Sequence, residues 1–328
     1  MIVPARHLPG HGMPPSDHAA MLADVREGLQ RTPKRLSSKY FYDAEGSALF
    51  EAICVQPEYY LTGAELAIMR EHSAAIAAVL GPSVLLIEYG SGSGLKTQLL
   101  LAQLVEPAAY VPVEISQAAL LESVARLGET FPQIEMLPLC ADFTQRIIPP
   151  RSAKPPQRRV IYFPGSTLGN LEAHEALALL SKMRDEMGEH GAALIGIDLK
   201  KDSAIIEAAY NDAAGVTAAF TLNMLARFNR ELGADFDLAQ FNHRARYNCM
   251  AGRIETHIVS RCAQTVHIAD RLFKFAADEA MLVEYSCKYS LDDFARLAAR
   301  AGLRVKSIWM DAEQQFSLQY LVRAEAQA

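Results

Sequence analysis

The sequence predicts an α/β fold: a doubly wound sheet of parallel strands closed by an antiparallel hairpin, with a second, α+β unit built outside it. Three observations lead there. Between residues 83 and 200, five short apolar runs are interleaved with helical periodicity, the rhythm of parallel strands joined by right-handed crossovers. After Lys200 that rhythm stops, and residues 201–280 read as helices followed by mixed strands. Residues 303–324 then hold two strands with only a short turn between them, which suits a hairpin on the sheet edge.

Taken in chain order, the first seventeen residues are rich in Pro, Gly and His and are expected to fray. A helix follows from Ser16 to about Gln30, with Ser16 as cap and Met21, Val25 and Leu29 at four-residue spacing. The aromatic segment KYFYDAEGSALFEAICVQPEYY is too mixed to assign. Residues 63–80 read as a helix with Leu66, Ile68, Met69, Ile76 and Val79 on its apolar side, stopped by Gly81-Pro82.

The first strand is SVLLIEYG, a continuous apolar run ending in glycine, as expected of a strand buried on both faces. Helix 96–104, strand 109–116 and helix 117–128 come next, then a third strand, IEMLPLCADF, over 134–143. A Pro/Arg-rich loop leads to strand 160–166, helix 174–187 closed by Gly188, and strand 192–200. In the insertion, 253–261 and 265–269 read as strands. The tail restores order with helix 291–301, strand 303–310, the turn DAEQQ and strand 316–324. There is no internal repeat.

The composition bounds what such a chain can do. It has 328 residues, 50% of them hydrophobic and 21% charged, enough apolar content to bury a sizeable core. Its 32 basic against 38 acidic residues give a net charge of −6, which argues against a nucleic-acid binder. Five scattered cysteines with no C-x-x-C pair fit reduced thiols rather than a disulfide framework or a zinc cage. The nine histidines show no H-E-x-x-H or facial-triad spacing, so no metal site is expected. The N-terminus has no apolar signal region, and the most apolar stretch is broken at Gly81-Pro82-Ser83. A cytoplasmic protein that neither enters nor spans a membrane is therefore expected.

The chemistry concentrates in Glu88-Tyr89-Gly90-Ser91-Gly92-Ser93-Gly94-Leu95-Lys96-Thr97. As a dinucleotide fingerprint it fails at Leu95, where the sixth position needs Gly or Ala; as a phosphate loop it fails at the same residue, which should be Gly before Lys96. It does satisfy acidic-x-Gly-x-Gly-x-Gly at the end of a first strand, the pattern of S-adenosylmethionine (SAM) enzymes, and the C-terminal hairpin agrees with a methyltransferase sheet. Two acids stand where that cofactor needs them. Glu114 ends the second strand and can accept both ribose hydroxyls; Asp142 ends the third and can accept from the adenine amino group, with Phe143 packing nearby. Either acid alone would read as a solvated carboxylate at a strand end, but together at one sheet edge they favour a site. Lys96 is either a surface helix lysine or a partner for the cofactor's carboxylate.

Five stretches, FYDAEGSALFEAICVQPEYYLTGAE, YGSGSGLKT, YFPGSTLGNL, LARFNRELGADFD and VEYSCKYS, resemble in order the histidine-specific methyltransferases of ergothioneine biosynthesis. The likeness runs from about Tyr40 to Arg323, and PGSTLGNL and Glu-x-Ser-x-Lys are far more specific than the glycine loop. It implies a Rossmann-like class I SAM methyltransferase sheet, expected over 63–200 and 286–328, with a histidine-binding α+β domain from 18–62 and 201–285 and a flexible tail over 1–17. It implies three methyl transfers from SAM to the α-amine of L-histidine, giving hercynine and S-adenosylhomocysteine, with a monomer as the working expectation. Two alternatives stay open: an N-methyltransferase for another small amino acid, and a non-catalytic SAM- or histidine-binding regulator.

By the same resemblance, Tyr59, Asn170 and Tyr210 bind the amino-acid end of the substrate, with Asn170 beside the reacting methyl. Glu284 and Ser286 read the imidazole, and Gly90, Lys96, Glu114, Asp142 and Phe143 match cofactor positions, Glu114 standing where relatives often carry Asp. In MLVEYSCKYS, alternation puts Glu284, Ser286 and Lys288 on one face of a strand, so a carboxylate and a hydroxyl two places apart can meet the two nitrogens of one ring. Without the resemblance, the same pattern reads as the polar face of an amphipathic strand. Tyr42 is a candidate for touching the imidazole or the reacting amine, with a core or lid tyrosine as the other reading. Thr256 falls where some relatives carry Met near the ring pocket, which could alter its shape. No general base is evident.

Overall fold

A computed structural model of the chain describes residues 15–92 and 94–325; the tail expectation falls mostly on residues outside that range. The first half runs α1 (Pro15–Gln30), α2 (Ala44–Ile53), α3 (Tyr60–Leu80), β1 (Val84–Tyr89), α4 (Leu95–Leu101), β2 (Ala109–Glu114), α5 (Gln117–Thr130), β3 (Leu139–Cys140), β4 (Arg158–Phe163), α6 (Ala173–Met187) and β5 (Ala192–Asp198). The second half runs α7 (Ser203–Ala208), α8 (Val216–Leu232), β6 (Phe241–Asn248), β7 (Arg253–Ser260), β8 (Gln264–Ile268), β9 (Arg271–Phe275), β10 (Ala280–Cys287), α9 (Leu291–Arg300), β11 (Leu303–Met310) and β12 (Phe316–Arg323).

Seven strands form the main sheet in the order β11-β12-β5-β4-β1-β2-β3. Its five inner and far-edge strands are parallel, and β12 runs antiparallel to both β5 and β11. The order reverses between β1 and β4, so the carboxyl ends of β1 and β2 open a crevice, the place where open α/β sheets bind ligands. β1 is buried at all six positions, because helices cover both faces. Ile161, Phe163, Ile195 and Ile197 pack one face with Leu180 and Met183 of α6. Leu86, Tyr162 and Leu194 pack the other with Ile68 and Ile76 of α3. Each such apolar side chain contributes about 1.5–3 kcal/mol.

The third strand differs from its expected span of 134–143. Regular pairing survives only at Leu139–Cys140, with an isolated bridge at Met136–Tyr110. The β2 residue that would donate next, to the Leu137 carbonyl, is Pro112, which has no N–H, so the ladder is interrupted there. The unassigned aromatic segment becomes a 3-10 turn, Ser38–Phe41, and then α2, whose cap Asp43 accepts from the Gly46 N–H at 2.7 Å.

Outside the sheet, β10, β7 and β6 form a three-stranded antiparallel sheet and β8 pairs with β9. Residues 34–36 add a short parallel edge to β10: the Leu36 N–H donates to the Leu282 carbonyl and the Leu282 N–H to the Lys34 carbonyl. Phe41, Val25 and Leu29 from the N-terminal segment pack with Phe220, Phe228 and Met281 of the insertion in one apolar cluster. The chain leaves β10 and meets the main sheet at once, where the Tyr289 N–H donates to the Asp198 carbonyl. A 3-10 turn, Thr167–Asn170, packs against the end of β10. The approach is tight enough that a Cβ on Gly169 would lie 2.7 Å from the Cys287 carbonyl oxygen, so only glycine fits there.

Candidate active site

At the carboxyl edge of β1 the chain turns through Gly90, with φ of +70°, and Gly92, with φ of +45°, a left-handed path that favours glycine. A Cβ at Gly92 would meet nothing within 4 Å, and the buried Ser91 hydroxyl has no hydrogen-bond partner among the described residues. Glu114 is held beside this turn: one carboxylate oxygen accepts from the Ile115 and Ser116 N–H groups at 2.9 and 3.2 Å, the other from Gly92 at 3.5 Å. Asp142 takes both bonds from Thr144 on Oδ1, at 2.8 and 2.6 Å. The Phe143 ring stacks on Tyr89 with centroids 5.6 Å apart and lies 3.9 Å from the Cβ position of Gly90. A side-chain-free turn, an orphaned buried hydroxyl and two oriented carboxylates fit a ribonucleoside with a compact polar tail. The donor set suits SAM.

The acidic residue that opens the glycine motif faces inward. Glu88 accepts from Thr97 Oγ1 at 2.8 and 2.7 Å and from the Tyr110 hydroxyl at 2.5 Å. Burial pushes its carboxyl up to about 8, against the pull of those donors. It ties the start of α4 to β1, which fixes the loop between them. Lys96 is not a surface lysine. Its ammonium sits 2.5 Å from Glu65, a fully buried carboxylate of α3 that also accepts from the Gly165 N–H at 2.9 Å.

Gly165 links this edge to a neighbouring cavity, since it lines the cavity and Lys96 Nζ lies 3.6 Å from where its Cβ would be. The cavity is walled by Tyr42, Tyr59, Asn170, Tyr210, Glu284 and Ser286, all six candidates for the substrate end, and floored by Phe50 and Phe220. Its aromatic wall is continuous: Tyr42 meets Phe50 and Phe220 edge-on at 5.8 and 5.6 Å, and Tyr59 meets Phe50 and Tyr210, each at 6.3 Å. Burial pushes the Tyr42 and Tyr59 hydroxyls well above the ordinary phenol value, and the nearby Glu284 adds to both. They are neutral donors. The Asn170 amide makes no side-chain hydrogen bond among the described residues.

Glu284 and Ser286 come from one face of β10, beyond a register shift between Leu282 and Glu284. Burial pushes the Glu284 carboxyl up to about 7, opposed chiefly by the positive charge of Lys288. Thr256 stands directly opposite Glu284 on β7, buried, and its hydroxyl, as a donor to Glu284, adds a smaller downward pull on that carboxyl. That makes it part of the wall behind the carboxylate.

Sequence reasoning missed the polar cluster behind Ser286. Lys288 and Asp198 pair at 2.6 Å with neither side chain exposed. The Lys288 ammonium also donates to the Tyr210 hydroxyl at 2.8 Å and to Ser286 Oγ at 2.9 Å, and those two oxygens are 2.7 Å apart. On the far side Asp198 accepts from Tyr60 at 2.8 Å and pairs with Lys201 at 2.5 Å. Lys288 shared a face with Glu284 and Ser286 in the sequence pattern. Nothing local tied it to Asp198, which lies 90 residues earlier at the end of β5.

Among the described residues no helix is long and apolar enough to cross a membrane, and no cluster of three or more His, Cys, Asp or Glu could hold a metal ion. Residues 21–323 match the family described as histidine-specific methyltransferase, SAM-dependent. The chain is 42% identical over 313 residues to a histidine N-alpha-methyltransferase of Mycolicibacterium smegmatis, covering 93% of this chain and 95% of that one. It is 38% identical to the protein of the same name in Mycobacterium tuberculosis, over 92% of this chain and 94% of the other. It is also 27% identical to ergothioneine biosynthesis protein 1 of Neurospora crassa, over 84% of this chain but 32% of that longer protein.

Proposed function

The chain belongs to the histidine-specific, SAM-dependent methyltransferases, and we propose that it carries three methyl groups in succession to the α-amine of L-histidine, yielding hercynine for ergothioneine biosynthesis. The observation that supports this most is the placing of Glu284 and Ser286, two positions apart on β10, in the wall of one cavity with Tyr42, Tyr59, Asn170 and Tyr210. A carboxylate and a hydroxyl at that spacing suit the two ring nitrogens of histidine. A side chain lacking those nitrogens would leave both groups unpaired, at about 1–3 kcal/mol each.

SAM, when bound, supplies an electrophilic methyl group on a sulfonium. The chain's part is to hold and exclude. Gly90 and Gly92 leave room at the backbone, Glu114 accepts the ribose hydroxyls, Asp142 accepts the adenine amino group with Phe143 against the ring, and Lys96 faces the cofactor's carboxylate. In the cavity Tyr59, Asn170 and Tyr210 grip the amino-acid end, with Asn170 and Tyr42 flanking the reacting nitrogen. Their task is to keep that nitrogen about 3–3.5 Å from the methyl carbon.

The amine must lose a proton before each transfer. Tyr42 and Tyr59 are neutral donors and Glu284 is turned to the ring, so none of these three is placed as a base for the amine; a bound sulfonium would lower the amine pKa and ease loss of the proton to solvent. Hydrogen bonds that tie up the lone pair would compete with transfer, and those accepted from the amine vanish as its N–H groups are replaced. On this reading the sheet unit, 63–200 and 286–328, holds the cofactor, while 18–62 with 201–285 encloses the amino acid. β10 crosses that border and carries Glu284 and Ser286 into the cavity wall.

Incubation with SAM and histidine, tryptophan or tyrosine in parallel tests the substrate. Methylated histidine as the dominant product is expected. Preferential methylation of tryptophan or tyrosine would assign the chain to another amino acid, and SAM binding without turnover would make it a regulator.

A further inference from the structure

The pair Tyr210–Ser286 has a hydrogen-bond polarity that Lys288 dictates. An ammonium donates three hydrogen bonds and accepts none, and Lys288 spends its three on Asp198, Tyr210 and Ser286. Both hydroxyl oxygens therefore accept from Lys288, and each keeps its own proton. One of those protons bridges the 2.7 Å gap between them. The phenol, with an ordinary pKa near 10, is the better donor of the two, and the alcohol the better acceptor. Tyr210 therefore donates to Ser286. Ser286 then accepts twice, and its one remaining capacity is the O–H it turns toward the cavity it lines. Next to it Glu284 offers a carboxylate, which when ionised only accepts.

We propose that Lys288 is a positioning residue that fixes Ser286 as a donor, so that the cavity accepts an imidazole only as the neutral ring, with one N–H facing Glu284 and one bare nitrogen facing Ser286. This rests on the histidine reading above and deepens it. A doubly protonated imidazolium would satisfy Glu284 but bring an N–H against the Ser286 O–H, with the Lys288 charge behind it. The titratable groups lining the cavity are Glu284 and the phenols of Tyr42, Tyr59 and Tyr210, with the Lys288 ammonium behind Ser286. Asp198 is already committed to Lys288, Lys201 and Tyr60. A carboxylate acting alone would favour the imidazolium; the Lys288-backed hydroxyl reverses that preference.

Two measurements test this. In the first, the unmodified enzyme is saturated with S-adenosylhomocysteine and ring-¹⁵N-labelled histidine at pH 6 and pH 7.5. Nitrogen NMR should show one N–H-type and one bare, hydrogen-bonded nitrogen at both pH values, as two separate signals without tautomer averaging. Two N–H-type signals at pH 6 or 7.5 would overturn the proposal, whereas no bound histidine signal at all would overturn the histidine reading instead. In the second, Lys288→Met is compared with the unmodified enzyme for binding of histidine and of its pyrrol-2-yl and pyrrol-3-yl isosteres, which carry one ring N–H and no bare nitrogen. Histidine affinity should fall at least tenfold while that of whichever isostere binds changes less than twofold. Equal losses for both would reduce Lys288 to a structural role. If that variant does not fold, the NMR result on the unmodified enzyme decides alone.

Discussion

Asp198 at the end of β5 and Lys288 just past β10 form an ion pair of 2.6 Å in which neither side chain reaches solvent. The two residues tie the end of β5 to the chain just past β10, behind Ser286. Breaking such a pair from one side strands a buried charge, at about 3–5 kcal/mol. Asp198→Asn should therefore lower unfolding stability by that order, measured by urea denaturation. Removing the exposed Arg296–Asp293 contact with Arg296→Ala should cost less than about 1 kcal/mol by the same measurement. Comparable losses for the two variants would mean that the buried pair contributes no more to stability than an exposed one.

On the histidine reading, Glu284 should carry the pH dependence of substrate capture. Its folded value near 7 lies above the ordinary carboxyl range, so it gains its proton as pH falls through about 7 and ceases to be a pure acceptor. The ratio of kcat/KM for histidine between the unmodified enzyme and Glu284→Gln cancels the substrate's own titrations. That ratio should rise through about pH 7 and then level off; a ratio independent of pH would remove Glu284 from the ring. The sign for stability is opposite. The folded state holds this proton more tightly than the unfolded chain, so ionising Glu284 lowers stability as pH rises from about 4.5 to 7, by roughly 3 kcal/mol at most. Glu284→Gln should consequently be more stable than the unmodified enzyme at pH 8, and the gap should close near pH 4.5.

The cofactor edge and the cavity should respond separately. Ser286→Ala should raise the histidine KM about 5- to 100-fold, the loss of one buried hydrogen bond, while leaving S-adenosylhomocysteine affinity within about twofold by calorimetry. Glu114→Ala should do the converse, weakening S-adenosylhomocysteine binding about tenfold with little change in histidine binding to the loaded enzyme. If Ser286→Ala weakened the nucleoside as strongly as histidine, the two sites would be assigned wrongly.

Much of the sheet was legible because its strands are buried on both faces. β1 reads as an apolar run and is buried throughout, and β5 likewise. The third strand failed opposite Pro112 of β2, where a single missing N–H interrupts pairing that the apolar pattern would have continued. α2 was hidden for a different reason: it is only ten residues long, and its stripe of Leu49, Phe50 and Ile53 spans barely one turn within an aromatic-rich segment. In the site, Glu284 and Ser286 could be placed on one face by alternation alone. The Lys288–Asp198 pair could not, because it is made by two strand ends that only the finished topology brings together. Glu65 was missed for the same reason, since its partners Lys96 and Gly165 lie 31 and 100 residues away.

The most direct test of the account is the mass of the product after exhaustive incubation of the enzyme with histidine and excess SAM. Three added methyl groups on the α-nitrogen, with one- and two-methyl species only transient, is the predicted result. Accumulation of a singly or doubly methylated end product, or methylation of a ring nitrogen, would contradict it.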